Sequence, residues 1–402
     1  MRKSNQEASR QHNQRIVFST IYKKGPISRA DIARETELTR TTVSDIVAGF
    51  MENCLVSEVG LSPSTGGKPG MLLKIDENAQ LIIGIDLGES EFRGALVNLR
   101  GEIVHRLGTP VGDTNGEAAL NLVFSLIDAL LRSTEKRVIG IGIGAPGLMD
   151  PDNGKVRQAI NLDWQELPLK NILSQRFNLP VYVSNDCQVA ALGEYTFGET
   201  MKSDNLVLVK SGKGVGAGIV LRGELFYGDN AGAGEIGHIQ IFQNGEPCRC
   251  GNQGCLETVL SNKGLINRAG KGNSQNLGAI PEGAIPEGAM IQRENLSIEE
   301  LISAYHQDDK SVMRVVDDAA AALGTVIAHL IGILNVNRIL ITGNLVPFGS
   351  RPLEVIRHRI QNGTLATVNA NTTVEFSALG DDIVILGAAS LILKNELGLL
   401  SC

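Results

Sequence analysis

Positive charge is in short supply in this chain of 402 residues. Its 37 Lys and Arg stand against 44 Asp and Glu, for a formal net charge of −7. As a total, that balance argues against a nucleic-acid partner. Aromatic residues are also few, at 4% with a single Trp, yet 43% of the chain is hydrophobic. That is too apolar for a disordered chain, and the length allows a sizeable core in two or three domains. The 46 Gly follow no triplet period, which excludes a collagen. Met1 to Arg15 is polar and lacks the apolar core of a secretory signal. The longest apolar stretch, Ala319 to Val336, is broken by His329 and glycine and follows Asp317 and Asp318. Its length would suit a membrane span, but it reads better as the buried helix of a large domain. The expectation is a cytoplasmic protein with no membrane contact.

The shortage is uneven. Residues 1–74 hold 11 basic and 7 acidic side chains, a net of +4, leaving 26 basic and 37 acidic, a net of −11, on the remainder. A small basic head on a large acidic body is the asymmetry of a separate nucleic-acid-binding module.

Within the head, helical patterns alternate with short polar turns. The first helix runs from about Gln14, with Ile16, Val17 and Ile21 on one side, and stops at Gly25-Pro26. Ser28 opens a second as N-cap, with Asp31 three residues on. Thr39 caps a third, in which Val43, Ile46, Val47, Phe50 and Met51 share an apolar face. Leu55 to Val59 and Met71 to Ile75 flank a glycine-rich turn and predict a hairpin wing with Lys68 at its tip. Together these describe a winged helix-turn-helix, in which the start of the third helix enters the major groove. The candidate DNA-binding residues are Ser28, Arg29, Thr39, Arg40, Thr41, Thr42, Ser44 and Lys68. Operator DNA is the expected partner. A helical protein-interaction module with a solvated basic face is the alternative; caps, wing and charge asymmetry together favour DNA.

From Leu81 onward strands come first, then strand and helix alternate, as in an α/β domain. The pattern restarts at Leu206, which implies a duplicated α/β fold whose two lobes leave a ligand-binding cleft. The expected division is a head at 1–75, a first lobe at 76–189 plus 383–402, and a second lobe at 190–382. Gly278 to Glu287 repeats Gly-Ala-Ile-Pro-Glu twice, and 270–295 reads as a flexible insertion without chemistry.

His238, Cys248, Cys250 and Cys255 form a His-x9-Cys-x-Cys-x4-Cys pattern, with Gly251 and Gly254 allowing tight turns. Three thiolates and an imidazole within 18 residues suit a tetrahedral structural zinc site. A disulfide is disfavoured, because two of the thiols are only two residues apart, one would be left over, and the expected compartment is reducing. Cys54, Cys187 and Cys402 are scattered and read as ordinary.

Along nearly its whole length the chain resembles the ROK family (repressor, open reading frame, kinase). The resemblance is carried by Gly84-Ile85-Asp86-Leu87-Gly88, Gly142-Ile143-Gly144-Ala145-Pro146-Gly147, Asn185-Asp186, Gly212-Lys213-Gly214-Val215-Gly216-Ala217-Gly218, Ala233-Gly234-Glu235-Ile236-Gly237-His238 and the cysteine segment Cys248 to Glu257. The layout is similar to the xylose-repressor-like members of the repressor branch, whose kinase counterparts generally lack the winged helix. The resemblance implies an α/β fold: an N-terminal winged helix-turn-helix followed by a two-lobed actin-like ATPase domain pair, sugar kinase-type and ribonuclease H-like. It also implies a sugar pocket formed by Gly147, Asn161, Asn185, Asp186, Glu235, His238 and Glu257. Carboxylates and an amide match the donors and acceptors of vicinal hydroxyls. His238 would bind zinc through one ring nitrogen and sugar through the other.

The nucleotide motifs depart from the family's kinases. Asp86-Leu87-Gly88-Glu89-Ser90 stands where kinases read Asp-x-Gly-Gly-Thr, so Glu89 would face phosphate. A like-charge contact at about 4 Å costs on the order of 4 kcal/mol at an effective dielectric of about 20. Gly212-Lys213-Gly214 replaces Gly-Thr-Gly, and Gly343-Asn344 replaces a Gly-Gly pair. The resulting expectation is a sugar-responsive repressor, a homodimer or homotetramer without kinase activity. The alternative is an ATP-dependent sugar kinase carrying a DNA-binding head, with Asp186 as its general base.

Overall fold

The computed structural model describes residues 2–63, 69–88, 90–198, 203–271 and 296–399. The chain forms two compact units, residues 1–197 with 383–402, and residues 198–382.

The first unit begins with α1 (Arg2–Lys24), β1 (Ile27–Ser28), α2 (Arg29–Thr36), α3 (Arg40–Glu52), β2 (Val56–Leu61) and β3 (Met71–Ile75). Val17, Phe18 and Ile21 of α1 are buried with Ile32, Val43, Ile46 and Val47. Phe18 meets Phe50 edge to face with ring centroids 5.1 Å apart. The caps form as the sequence predicts: Ser28 Oγ accepts from the Asp31 N–H at 3.2 Å, and Thr39 Oγ1 from the Thr42 N–H at 3.1 Å. Helix α1 starts at Arg2 rather than near Gln14, because residues 2–13 carry no apolar stripe for periodicity to register. The wing strands pair antiparallel, and the two-residue β1 adds to β3 on the other side.

The head belongs to the same compact unit as the α/β layers that follow. Arg100 donates to Tyr22 O at 2.9 Å and lies 4.0 Å over the Tyr22 ring, while the Tyr22 hydroxyl donates to Leu99 O at 2.8 Å. Arg15 donates to Asn395 O at 3.0 Å. Residue 75 therefore marks a change of pattern rather than a gap between units.

Next come β4 (Gln80–Leu87), β5 (Glu91–Asn98), β6 (Ile103–Pro110), α4 (Gly116–Arg132), β7 (Arg137–Ala145), β8 (Leu148–Asp150), β9 (Lys155–Ala159), β10 (Trp164–Leu167), α5 (Leu169–Phe177), β11 (Val181–Asn185) and α6 (Asp186–Phe197). The main sheet has the order β11-β7-β4-β5-β6. Helix α4 buries Ala119, Val123, Leu126, Ile127 and Leu130. Strands β8 to β10 form a small separate sheet that strand patterning missed, its members being only three to five residues long.

The second unit contains β12 (Leu206–Ser211), β13 (Val215–Leu221), β14 (Glu224–Leu225), α7 (Glu257–Leu260), α8 (Asn262–Lys271), α9 (Ile298–His306), α10 (Lys310–Leu334), β15 (Arg338–Gly343), α11 (Arg351–Gly363), α12 (Ala366–Asn369) and β16 (Thr373–Phe376). Its sheet order, β14-β13-β12-β15-β16, repeats that of the first unit. Helix α10 is long and apolar enough to cross a membrane. Its Val316, Ala319, Ala320, Leu323, Val326 and Ile327 are instead core residues of this unit. Of the expected insertion, Gly270 and Lys271 end α8, and 272–295 lie outside the described residues.

The chain then returns to the first unit as α13 (Ile383–Asn395). A methyl group at Gly142 of β7 would lie 1.8 Å from Ala388 O, and one at Gly387 1.6 Å from Val189 O of α6. Glycine at those two positions lets α13 press against sheet and helix alike. The expected lobe boundary at 189/190 falls inside α6; the unit runs on to Phe197 because α6 packs on α13.

Candidate functional site

Helix α3 turns Val43, Ile46 and Val47 inward and leaves Arg40, Thr41 and Ser44 exposed, with Thr42 partly so. Thr39 is exposed and its hydroxyl meets that of Thr42 at 2.8 Å. The polar start of α3 is thus preformed. Two expected DNA contacts are otherwise engaged. Ser28 is 5% exposed and gives its hydroxyl proton to Asp31 Oδ2 at 2.7 Å, so its role is to cap α2. Arg29 pairs with Glu58 of the wing at 2.9 Å. Lys68 lies outside the described residues.

In the first unit the sugar candidates collect where β11 meets α6. Asn185 Nδ2 donates to Gly147 O at 3.0 Å, and Asn185 Oδ1 accepts from the Cys187 N–H at 2.9 Å. One side chain thereby caps the helix and holds the Gly147 turn. Asp186 opens α6 and is partly exposed. A side chain on Gly147 would meet Gln158 O at 2.2 Å and Ala159 Cα at 3.0 Å; exposed Asn161 follows two residues on.

In the second unit, Glu235 and His238 bracket a short 3-10 turn packed on β13, where Gly237 has room for no side chain against Val215 O. Glu257 begins α7, is buried, and accepts from the Val215 N–H at 3.2 Å. Sequence patterning missed its ion pair: Arg249 Nε lies 2.8 Å from Glu257 Oε1, and a terminal guanidinium nitrogen 3.2 Å from Oε2. The available signal was the position of Arg249 inside the Cys-x-Cys pair.

The ligand atoms of His238, Cys248, Cys250 and Cys255 all lie within 4.8 Å of one another. Cys250 Sγ and Cys255 Sγ are 3.7 Å apart, and Cys248 Sγ is 3.6 Å from His238 Nδ1. Tetrahedral ligands about 2.3 Å from an ion place two sulfurs roughly 3.8 Å apart, so the residues fit a metal. Without one, burial and then the Cys250 and Cys248 thiols push the Cys255 thiol up to about 12. Burial raises Cys248, whereas a backbone N–H from Asn252 lowers Cys250. A bound cation would relieve that crowding by stabilising all three thiolates. The described cysteines form no disulfide.

The nucleotide motifs are engaged internally. Asp86 is 3% exposed and pairs with Arg93 at 2.5 Å, directly across the β4–β5 ladder. Asn344 is buried; its Oδ1 accepts from Ser211 Oγ at 2.6 Å, and its Nδ2 donates to Leu260 O at 2.8 Å and Asn262 Oδ1 at 2.9 Å. Lys213 is exposed, and Glu89 lies outside the described residues.

A winged head, two α/β units of one repeated topology and a cluster of one histidine and three cysteines beside a buried glutamate coincide with a match to the ROK family over residues 82–395, and the chain belongs to that family. Its fold is a winged helix-turn-helix followed by an actin-like, sugar kinase-type α/β pair. Among its relatives, a putative xylose repressor of Caldicellulosiruptor sp. (strain Rt8B.4) is 33% identical, covering 96% of this chain and 97% of that protein. The transcriptional dual regulator NagC of Escherichia coli (strain K12) is 30% identical, covering 98% and 95%. The crystal structure of a ROK family transcriptional regulator, a homologue of the E. coli MLC protein, superposes with a TM-score of 0.83 at 29% identity, covering 97% of this chain and 98% of that one. A ROK family glucokinase from Streptomyces griseus, solved with glucose and AMPPNP, gives 0.66 at 27% identity and covers 77% and 98%.

Proposed function

We propose that this chain is a sugar-responsive transcriptional repressor that reads operator DNA with its winged head and binds a sugar through its two α/β units. The observation that carries this reading is α3, whose exposed Arg40, Thr41 and Ser44 stand opposite a buried apolar face on a chain that also holds the family's sugar motifs. The similarities add support. Repressors align over nearly the entire chain, head included, whereas the glucokinase aligns with only 77% of it.

Arg40, Thr41, Thr42 and Ser44 meet base edges, with Thr39 setting the helix start, and Lys68 serves the phosphate backbone. Gly147, Asn161, Asn185, Asp186, Glu235, His238 and Glu257 bind the sugar hydroxyls. Zinc is held by His238 Nδ1, Cys248, Cys250 and Cys255; it fixes the imidazole so that Nε2 is left for a hydroxyl. The protein works in the cytoplasm as a homodimer or homotetramer, since a palindromic operator requires two heads. Sugar lowers operator affinity, and by reciprocity operator lowers sugar affinity by the same factor.

Kinase activity is absent in this reading. Arg93 already neutralises Asp86, and the Asn344 amide fills the place of a glycine. The retained Asp186 favours the kinase alternative, where it would be the general base; in the repressor reading it binds a hydroxyl without taking its proton. The test is an operator-binding titration against D-xylose, D-glucose and N-acetyl-D-glucosamine, with and without ATP. Salt-dependent binding that one sugar weakens, and that is lost without residues 1–75, supports the reading. Failure to retain operator-like DNA at low salt overturns it, and sugar-dependent ATP turnover favours the kinase.

A further inference from the structure

The Arg249–Glu257 pair joins two functions that the sequence motifs keep apart. Arg249 stands between Cys248 and Cys250, so its backbone is fixed on both sides when those thiolates hold a metal. The surrounding turn is tight: the Cys248 N–H donates to Asn252 O at 2.8 Å and the Gly251 N–H to Cys248 O at 3.0 Å. From there the guanidinium grips both oxygens of Glu257, at 2.8 and 3.2 Å. The Glu257 side chain is 8% exposed, that of Arg249 44%. A buried carboxylate needs paired donors on both oxygens, and a planar guanidinium supplies them in one fixed geometry. The Val215 N–H completes the set from the β12–β13 turn. That turn lies against the pair, since a methyl at Gly214 would come within 3.1 Å of the guanidinium and 3.3 Å of Glu257 Oε2.

We propose that Arg249 is a positioning residue that couples metal occupancy to sugar binding by holding Glu257 in its binding geometry from within the metal loop. The inference rests on Glu257 being a sugar ligand, as in the proposed function. With metal bound, the loop is rigid and Glu257 meets the sugar already oriented. Without metal, Arg249 loses its anchor and the glutamate must be ordered at the cost of sugar affinity. Linkage makes the effect mutual, so bound sugar raises metal affinity by the same factor.

The test uses the full chain loaded with zinc, as wild type, Arg249→Ala and Arg249→Lys. Zinc content is measured first, then the affinity for D-xylose, D-glucose and N-acetyl-D-glucosamine by calorimetry. Zinc affinity is then measured by competition with a chromogenic chelator, with and without the sugar that binds. In the wild type the sugar should tighten zinc several-fold. Arg249→Ala should keep one zinc per chain, bind sugar roughly tenfold more weakly, and lose the tightening. Arg249→Lys, with charge but no fork, should fall between. A zinc-replete Arg249→Ala protein with wild-type sugar affinity and wild-type tightening overturns the proposal. So does a wild type that binds sugar with no effect on zinc; in both cases the sugar reading stands. If Arg249→Ala sheds zinc, the lysine variant decides: full coupling overturns the proposal, reduced coupling supports it. A zinc-loaded wild type that binds none of the three sugars removes the sugar reading, and this inference with it.

Discussion

The two five-stranded sheets repeat one plan, a central strand with two antiparallel strands on one side and two parallel strands on the other. What they do with their polar side chains differs. In the first unit, Asn185 and Asp186 stand at a strand end and a helix start, held by backbone geometry and a tightly packed α13. In the second, Glu235, His238 and Glu257 come from the 235–257 segment, whose regular pieces are one 3-10 turn and the start of the four-residue α7. There the side chains of His238, Cys248, Cys250 and Cys255 cluster with ligand atoms within 4.8 Å of one another, beside the Arg249–Glu257 ion pair. One topology thus carries its candidate site residues on regular elements in one copy and on a mostly irregular segment around a His/Cys cluster in the other.

Steric pressure on the first unit should separate them most sharply. Gly387→Leu drives a side chain into Val189 O, and we expect at least about 4 kcal/mol of lost stability or failure to fold, read by chemical denaturation. Metal removal addresses the second unit. Stripping zinc, or Cys255→Ser, should weaken sugar binding by about 100-fold. Hydrogen exchange should rise around 238–257 while β4 and β7 stay protected; equal loosening of both units would erase the distinction. Arg40→Ala tests the head against both sheets. Operator affinity should fall by about 1–3 kcal/mol in a binding titration, with sugar affinity unchanged. The smallest effect is expected at Gly332 of α10, where a methyl meets nothing within 4 Å. Gly332→Ala should stabilise the chain by up to about 1 kcal/mol, read as a slightly higher melting temperature. A loss there would mean that this helix face is covered by something.

Much of this was legible in the sequence because the relevant signals are local. Caps at Ser28 and Thr39, the apolar face of α3, the second sheet's strands and the spacing of the clustered His238, Cys248, Cys250 and Cys255 all depend on residues a few positions apart. What was not legible depends on side chains meeting across the fold. Arg93 neutralises Asp86 through cross-strand register, and Asn344 joins β15 to α7 and α8. The cap at Ser28 was foreseen but its burial was not, because exposure follows from packing between elements. The lobe boundary was misplaced by eight residues, since nothing in α6 itself announces the return of α13.

That return has a consequence for the order of assembly. The second unit is interposed within the first, whose last described helix is α13, and Arg15 of the head contacts Asn395 at its end. On a ribosome adding roughly 5–20 residues per second, everything between α6 and α13 emerges before the first unit can close. The interposed unit is therefore free to mature first, while the head, made before it, waits for its contact with α13. Until α13 is made the head is held through Tyr22 on Leu99 and Arg100, and a product truncated before α13 would lack the Arg15–Asn395 contact altogether.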